Sequence, residues 1–215
     1  MTTALSPTAR STIRRGARRA RTDRAELYAV LDAGLVCHLG IVLGDAPVVL
    51  PTTYGRVGDT LYVHGSTGAA SLRAADGVPM CVTVTHVDGV VYARSVFHFS
   101  MNYRSAVVHG RARRVTDDAE RLAGLRAVTE HAAPGSWDHA RLPTRKELAA
   151  TAVLAVDLAE ASVKVRTGPP VDDDADVAAG GRWAGVVPTR AVFDVPQPCP
   201  LLPPETPAPP LVAAR

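Results

Sequence analysis

The sequence predicts a mainly β protein in which six or seven antiparallel strands close into a small barrel, with short helices at the openings. The first observation is the stretch from Pro79 to Val115, where β-branched residues alternate between two faces along Cys81–Val87. The second is Asp88-Gly89, a dipeptide typical of tight hairpin turns, which predicts a meander of strands over residues 81–87, 90–97 and 103–115. The third is the lack of alternating strand and helix patterns, which argues against a doubly wound nucleotide-binding fold.

The elements before this stretch follow from capping and turn residues. Asp23 and Glu26 have the spacing of a capping box, which predicts a short helix with the apolar stripe Leu27, Val30 and Leu31. Turn residues then separate three predicted strands, over residues 35–43, 47–54 and 60–64.

Proline and capping residues organise the rest of the domain. Pro51 predicts an edge or a bulge in the second strand, because proline cannot donate a hydrogen bond to the ladder. Thr116–Glu120 caps a predicted helix that ends near His131. Thr144 and Glu147 begin another short helix with capping-box spacing. Two further strands are predicted over residues 151–158 and 161–166.

Composition divides the chain into three parts. Residues 1–22 are polar, rich in arginine and without periodicity, which predicts a flexible basic arm. Residues 23–190 carry the periodic segments and are expected to form one folded domain. Residues 191–215 are rich in proline and have no pattern, so we expect a disordered tail.

Composition also excludes several classes of function. The net charge is +3, and the basic arm lacks the interleaved aromatic residues of a nucleic-acid-binding segment, so no nucleic-acid partner is expected. The three cysteines are widely spaced, without the pattern of a zinc site, and no metal is predicted. Because no apolar run is long enough for a membrane span or a signal peptide, we expect a cytoplasmic protein without a membrane partner.

Two polar stretches are candidate binding sites. Residues 65–73 place two glycines and three hydroxyls between a strand and a helix, which suits either an anion cradle or an ordinary strand-to-helix turn. Residues 100–105 interrupt the meander and are either the floor of a binding site or a polar bulge.

Four motifs occur in the order seen in a known family: His38-Leu39-Gly40, Pro51-Thr52-Thr53-Tyr54, Leu61–Ser66 and Ser100–Ser105. In these residues the chain resembles the FMN-binding split-barrel flavoproteins, in the branch related to pyridoxamine 5′-phosphate oxidase that includes Nim-type nitroimidazole-resistance proteins. The resemblance covers about residues 22–190. It implies an antiparallel split β-barrel that forms a homodimer, with FMN bound at the subunit interface.

The resemblance also implies where the cofactor binds. The strand that contains Pro51 would lie along the isoalloxazine, while Ser66 and the helix after it would hold the phosphate. Ser105 takes the place of a glutamine that contacts the flavin in the oxidases, and Trp183 would reach the flavin of the partner subunit. The candidate cofactor-binding residues are Pro51, Thr52, Thr53, Tyr54, His64, Gly65, Ser66, Arg73, Asn102, Tyr103, Arg104, Ser105 and Trp183.

The sequence departs from the family pattern at two places. Relatives carry a basic residue early in the phosphate helix, where this chain has Ala69-Ala70, so Arg73 is expected to supply the charge, with Arg104 as the next candidate. The Arg-Leu-His-Asp-Arg ending of the oxidases is absent, and from Thr189 the chain becomes proline-rich. Since bidentate arginine contacts to a substrate phosphate have no candidates there, oxidation of pyridoxamine phosphate itself is not expected.

His64 differs from the other histidines because it lies at a strand end, immediately before the proposed phosphate turn. It would hydrogen-bond cofactor or substrate, or serve as the axial ligand if the pocket held haem, as in some split-barrel relatives. The favoured function is an FMN-dependent oxidoreductase acting on a small organic molecule. No catalytic residue is assigned, because the flavin does the redox work. The alternatives are a haem-binding split-barrel protein and a flavin carrier or sensor without turnover.

Overall fold

The structure is a computed structural model, and it describes residues 4, 5 and 8–214. Short helices surround two antiparallel sheets. The helices are α1 (Arg24–Ala33), α2 (Ala70–Ala75), α3 (Asp118–Ala132), α4 (Ser136–His139), α5 (Arg145–Ala150), α6 (Asp174–Ala179) and α7 (Pro210–Ala213). The strands are β1 (Ala20–Arg21), β2 (Cys37–Leu43), β3 (Ala46–Thr52), β4 (Tyr54–Val57), β5 (Thr60–Ser66), β6 (Pro79–Tyr92), β7 (Ser100–Arg111), β8 (Arg113–Arg114), β9 (Thr151–Asp157), β10 (Ala161–Arg166) and β11 (Gly185–Pro188).

The two sheets give the architecture of a split barrel. The large sheet has the order β1-β10-β7-β6-β2-β3, with β11 also paired to β6, and the small sheet has the order β4-β5-β9-β8. The chain passes between the sheets at Thr53, the single residue between β3 and β4. The predicted mainly β, antiparallel fold is confirmed, and β3 is an edge strand as Pro51 indicated. The strand count exceeds six or seven because β1, β8 and β11 are too short to leave a periodic pattern, and because the predicted strand over residues 47–54 divides at Thr53 into β3 and β4.

The meander predicted around Asp88-Gly89 is wrong. Strand β6 runs straight through this dipeptide, and the register with β7 shifts between Val87 and Gly89, so the pair forms a bulge instead of a turn. The connection between the strands comes later, in a 3₁₀ turn over Val96–His98. The glycine has a packing reason instead, because a Cβ at position 89 would lie 2.9 Å from Val186 and 3.0 Å from the Val187 carbonyl of β11.

Helix α1 fills the centre of the barrel. Asp23 caps it by accepting a hydrogen bond from the Ala25 amide, although the predicted reciprocal bond from Glu26 does not accompany this cap. The predicted stripe of Leu27, Val30 and Leu31 is confirmed as buried, in one core cluster with residues of both sheets.

Helix α3 covers the outside of the small sheet and is held there by two glycines. A Cβ at Gly55 of β4 would lie 2.5 Å from the Val128 amide nitrogen and closer still to the Ala127 carbonyl group. A Cβ at Gly124 would lie 2.8 Å from the Tyr62 ring. Both residues allow an approach that no other residue permits, and this fixes α3 beside the end of β5.

The basic arm is packed, where the sequence predicted flexibility. Residues 1–3, 6 and 7 lie outside the described residues, but Leu5 is only 5% exposed and belongs to the core. Strand β1 pairs with β10, placing Ala20 beside Lys164. The Arg10 guanidinium forms two hydrogen bonds with Glu160, at 2.7 and 2.6 Å. Polar composition missed this packing because it depends on one buried leucine and on partners far along the chain.

The proline-rich tail lacks helices and strands over residues 189–209, and these residues are almost all exposed. Leu211 in α7 lies beside Gly135 in the loop after α3. Disorder of the tail stays a prediction. Within residues 8–214, no helix combines the length and the apolar character needed to cross a membrane.

Candidate functional site

The predicted site residues fall in three regions of the fold. Residues 51–54 lie where the chain changes sheets, residues 64–73 lie at the end of β5, and residues 102–105 lie at the start of β7. Trp183 lies apart, just before β11. The outward face of the large sheet connects the first region with the third.

The outward face of the large sheet carries a continuous row of residues across its strands. Pro51 pairs with His38, His38 pairs with Thr83, and Thr83 pairs with Val107, so one row crosses four strands. With strands about 4.8 Å apart, the row is about 14 Å wide. Ser105 follows two residues before Val107 and therefore lies on the same face. The prediction that residues around Pro51 and Ser105 share a surface is consistent with this register.

Tyr54 differs from its predicted role. Its side chain is fully buried, and its hydroxyl donates to the Leu31 carbonyl at the end of α1. Burial raises the pKa of this phenol well above its ordinary value, so the hydroxyl stays protonated. The Tyr54 side chain therefore holds α1 against β4 and is not available to a cofactor.

His64 is half-buried at the end of β5, and its Nδ1 is buried without a hydrogen-bond partner among the described residues. Burial lowers the pKa of its imidazole, so the ring is neutral and keeps a lone pair at pH 7. It lines a cavity of about 330 Å³ whose apolar walls include Leu125 of α3, Trp137 of α4 and Leu142 of the following loop. Neither Trp137 nor Leu142 was a sequence candidate, because the one-turn helix α4 and the loop after it carry no recognisable motif.

The turn after His64 serves the local fold. A Cβ at Gly65 would lie 2.6 Å from the Leu72 side chain, so the glycine is needed for the packing of α2. The Ser66 hydroxyl accepts a hydrogen bond from the Gly68 amide at 3.1 Å. Arg73 is exposed, with its Nη1 3.5 Å from the Thr67 carbonyl. With only six residues, α2 is too short to supply a strong anion site, and the phosphate cradle stays a prediction.

At the start of β7, two of the predicted cofactor residues bind other residues of the protein. Asn102 is buried, its amide nitrogen donates to the Gly168 carbonyl at 3.1 Å, and its Oδ1 accepts from Arg166. Arg104 forms a bidentate pair with Asp88 at 2.9 Å, which lowers the pKa of that carboxyl. The Arg104 charge is therefore already neutralised within the chain.

A cationic cleft that the sequence did not predict lies at the edge of the large sheet. Two adjoining cavities, of about 400 and 520 Å³, share Arg18 and Arg19 as a common wall. Arg166 lines the first of them and is only 8% exposed. The sequence gives no local signal for this burial, because Arg166 simply continues the alternating polar positions Ser162 and Lys164 of β10.

An aromatic cluster lies near the far end of β6. The Tyr92 ring contacts Phe99 and Trp183 edge-on, with centroid distances of 5.4 and 5.8 Å. Trp183 is 67% exposed and Phe97 is 87% exposed. Phe97 stacks edge-on with His98, at a centroid distance of 5.2 Å, so four aromatic side chains along residues 92–99 and 183 are partly or largely exposed.

Comparison with known proteins identifies the family. The family model of pyridoxamine 5′-phosphate oxidases matches residues 23–165. No curated protein matches the chain. The structure of the flavocytochrome Anf3 from Azotobacter vinelandii is 38% identical, with a TM-score of 0.91 and 98% of each chain covered.

Two further structures are similar to this chain. The FAD and haem binding protein from Mycobacterium smegmatis is 43% identical, with a TM-score of 0.87, and the match covers 91% of this chain and 96% of that protein. A 5-nitroimidazole resistance protein homologue from Bacteroides thetaiotaomicron is 20% identical, with a TM-score of 0.57, 68% of this chain and 86% of the other covered, and shares the fold. The motifs, the two sheets and these matches agree, and the chain belongs to the pyridoxamine 5′-phosphate oxidase-like family of flavin-binding split-barrel proteins.

Proposed function

We propose that this protein is a redox protein with two cofactors, a flavin nucleotide and a haem, and that it carries electrons between a small donor and a small acceptor. The observation that carries this proposal is His64, which has a buried Nδ1 without a partner among the described residues and lines a cavity with both apolar and polar walls. Its support comes from the two relatives above 35% identity, one named a flavocytochrome and the other an FAD and haem binding protein.

The residues around His64 fit a haem. A neutral imidazole is a common axial ligand, and the unpaired ring nitrogen would gain a partner on binding. Leu125, Trp137 and Leu142 would supply an apolar wall against a haem bound in this cavity. The ion pair between Arg141 and Glu147, at 2.8 Å, ties the loop of this wall to α5.

The flavin is assigned to the outward face of the large sheet. This face has the width of a flat ring system, and Ser105 supplies a hydroxyl beside it. When bound, a flavin exchanges electron pairs with organic molecules and single electrons with a haem, while the protein supplies binding and orientation. The sequence favoured FMN. One of the two relatives is named an FAD and haem binding protein, and the other is named a flavocytochrome, which indicates a flavin without saying which one.

The absorption spectrum of the purified full-length protein tests both cofactors. We expect flavin bands together with a sharp Soret band, and we expect His64→Ala to lose the Soret band while keeping the flavin. His139→Ala is the matched control, because His139 is exposed in the neighbouring helix α4. An unchanged Soret band in His64→Ala would contradict the axial role of His64, and flavin bands without haem would return the protein to the class of haem-free flavin oxidoreductases.

The same proposal includes a homodimer that buries the aromatic cluster. Tyr92, Phe97, Phe99 and Trp183 expose apolar surface that a second chain would cover, and this is where Trp183 would approach the partner's cofactor. Phe97→Asp is expected to give a monomer by sedimentation, whereas Leu201→Asp in the exposed tail is not. A wild-type protein that sediments as a monomer with both cofactors bound would refute this part.

A further inference from the structure

The cationic cleft has six basic residues and no acidic ones in its lining. They come from the arm and from β10, two segments more than 140 positions apart in the chain. They are Arg15, Arg18, Arg19, Arg21, Lys164 and Arg166. Repulsion among six like charges in one cleft is unfavourable unless an anion is bound there.

None of the six forms an ion pair with a carboxylate that the structure describes. Nine arginines elsewhere do pair with a carboxylate, for example Arg24 with Asp59 and Arg56 with Asp32. Other described cations, such as Arg73 and Arg190, also lack an ion pair, but the cleft brings six of them together. Acidic partners are available to this chain, which has 21 of them, but the fold keeps them away from the cleft.

Arg166 is the strongest indication of a missing ligand. Its guanidinium is buried but contacts only neutral groups: Asn102, the Gly168 carbonyl at 3.4 Å and the Pro169 carbonyl at 3.3 Å. A buried charge without a counterion is costly, and it is normally paired. Burial, and then the positive charges of Arg19 and Arg18, lower the pKa of Arg166, which is the direction that a bound anion would reverse.

The cleft also adjoins the face assigned to the flavin. Lys164 pairs with Ser105, and Arg166 pairs with Tyr103, so the two cations lie one strand away from residues predicted to contact the cofactor. At about 4.8 Å per strand, a nucleotide on that face reaches the cleft without crossing any other element.

We propose that this cleft binds the diphosphate group of a nucleotide. A diphosphate carries at least two negative charges and several oxygens, which suits a ring of guanidinium groups better than a single carboxylate does. Two sources supply this chemistry: the diphosphate of the flavin cofactor itself, if the cofactor is FAD, and the diphosphate of a nicotinamide dinucleotide that donates electrons. The first source rests on the proposed flavin function, whereas the second does not require a particular flavin.

The test uses the exposed arginines of the arm, so that the fold is preserved. Arg18→Gln/Arg19→Gln removes two charges from the common wall of the cleft. Arg145→Gln/Arg190→Gln removes the same charge from exposed positions elsewhere. For each purified protein, the bound flavin is released and separated into FAD and FMN, and ADP is titrated into the protein by calorimetry.

Each outcome decides between the sources or rejects the cleft. If the cleft holds the cofactor, the FAD content of the arm variant Arg18→Gln/Arg19→Gln falls at least tenfold while that of the control variant does not. ADP then does not bind the wild-type protein as isolated. If it holds a nicotinamide dinucleotide, flavin content is unchanged, and ADP binds the wild type at least tenfold more tightly than the arm variant. Equal flavin content with equal or absent ADP binding in all proteins would overturn the proposal. A protein that carries no flavin would refute the proposed function, while the ADP titration would still decide the cleft.

A second variant tests the buried arginine without touching the arm. Asn102→Asp places a carboxylate against Arg166 in nearly the same shape, and it supplies the counterion that the cleft lacks. We expect the same loss of FAD or of ADP affinity as in the arm variant, in a protein that circular dichroism shows to be folded although the new side chain no longer donates to the Gly168 carbonyl. Unchanged binding in a folded Asn102→Asp protein would contradict a role of Arg166 in the site.

Discussion

Replacement of Gly55 by alanine is expected to displace α3 from the small sheet. We expect this both to destabilise the fold and to disturb the cavity beside His64. The new Cβ would lie 2.5 Å from the Val128 amide nitrogen, in a contact that no real Cβ makes. Because the clashing atoms belong to the backbone of α3, no side chain can rotate away. The helix must retreat by about 1 Å to restore ordinary contact.

The size of the effect follows from overpacking. Inserting a methyl group into a tightly packed site costs about 1–3 kcal/mol, and a clash with helix backbone belongs at the upper end, near about 3 kcal/mol. For a chain of this length, each kcal/mol shifts the melting temperature by about 2–4 °C, so Gly55→Ala should melt roughly 6–12 °C lower. Since Leu125 of α3 lines the cavity beside His64, the variant should also bind haem more weakly.

Thermal unfolding followed by circular dichroism measures the first effect, and the Soret absorbance measures the second. Gly68→Ala is the matched control, because a Cβ there meets only the Ser66 hydroxyl oxygen at 3.4 Å, an ordinary contact. That control should be unchanged, or up to about 1 kcal/mol more stable through loss of unfolded-state entropy. If Gly55→Ala melts within about 1 °C of wild type, α3 is not seated as described and the reasoning fails.

Three further predictions concern the core and the arm. Tyr54→Phe should cost about 0.5–1.5 kcal/mol by removing one of the two hydrogen bonds that the Leu31 carbonyl accepts, the other coming from the Gly34 amide, yet leave flavin content unchanged, and loss of flavin would restore a cofactor role for the side chain. Leu5→Ala should lower the free energy of unfolding by about 2–3 kcal/mol in urea titrations, whereas a flexible arm would show no change. Glu160 has its pKa lowered from 4.5 to about 2, mainly by the Arg10 hydrogen bond, so its contribution is full above 4.5 and is lost as the pH falls toward 2. The protection factors of the arm amides, which are exchange rates corrected for the intrinsic pH dependence, should therefore fall between about pH 6 and about pH 3 in wild type, and an arm equally protected at both values would contradict this linkage.

The sequence predicted what depends on local pattern. The stripe of Leu27, Val30 and Leu31 follows from helical spacing, and the capping box of Thr144 and Glu147 is formed as predicted because it needs only four residues. The turn predicted at Asp88-Gly89 was wrong because this dipeptide suits a bulge as well as a turn. The bulge forms here because the distant strand β11 packs against Gly89.

The candidate site was predicted in part for the same reason. His64 was recognised as unusual from its place at a strand end, but the walls of its cavity come from a helix and a loop more than 60 positions away. For Arg166 the sequence predicted only the last residue of a strand. Its burial could not be predicted, because it arises from the loop over residues 168–171 and from the arm. Long-range packing of this kind leaves no local signal.

The pairing of β1 with β10 has a consequence for the order in which the protein is built. On the ribosome the arm emerges first, but its partner strand is made roughly 140 residues later, so at about 5–20 residues per second the arm waits several seconds without a partner. During that time the nascent chain exposes a run of arginines, whose mutual repulsion keeps it extended and opposes premature collapse. Once β10 is complete, the arm covers what would otherwise be an open strand edge, the kind of edge that recruits other chains into aggregates. The pairing of β1 with β10 is therefore one of the last steps of folding. A nucleotide that binds between the two segments would stabilise the folded state by holding them together.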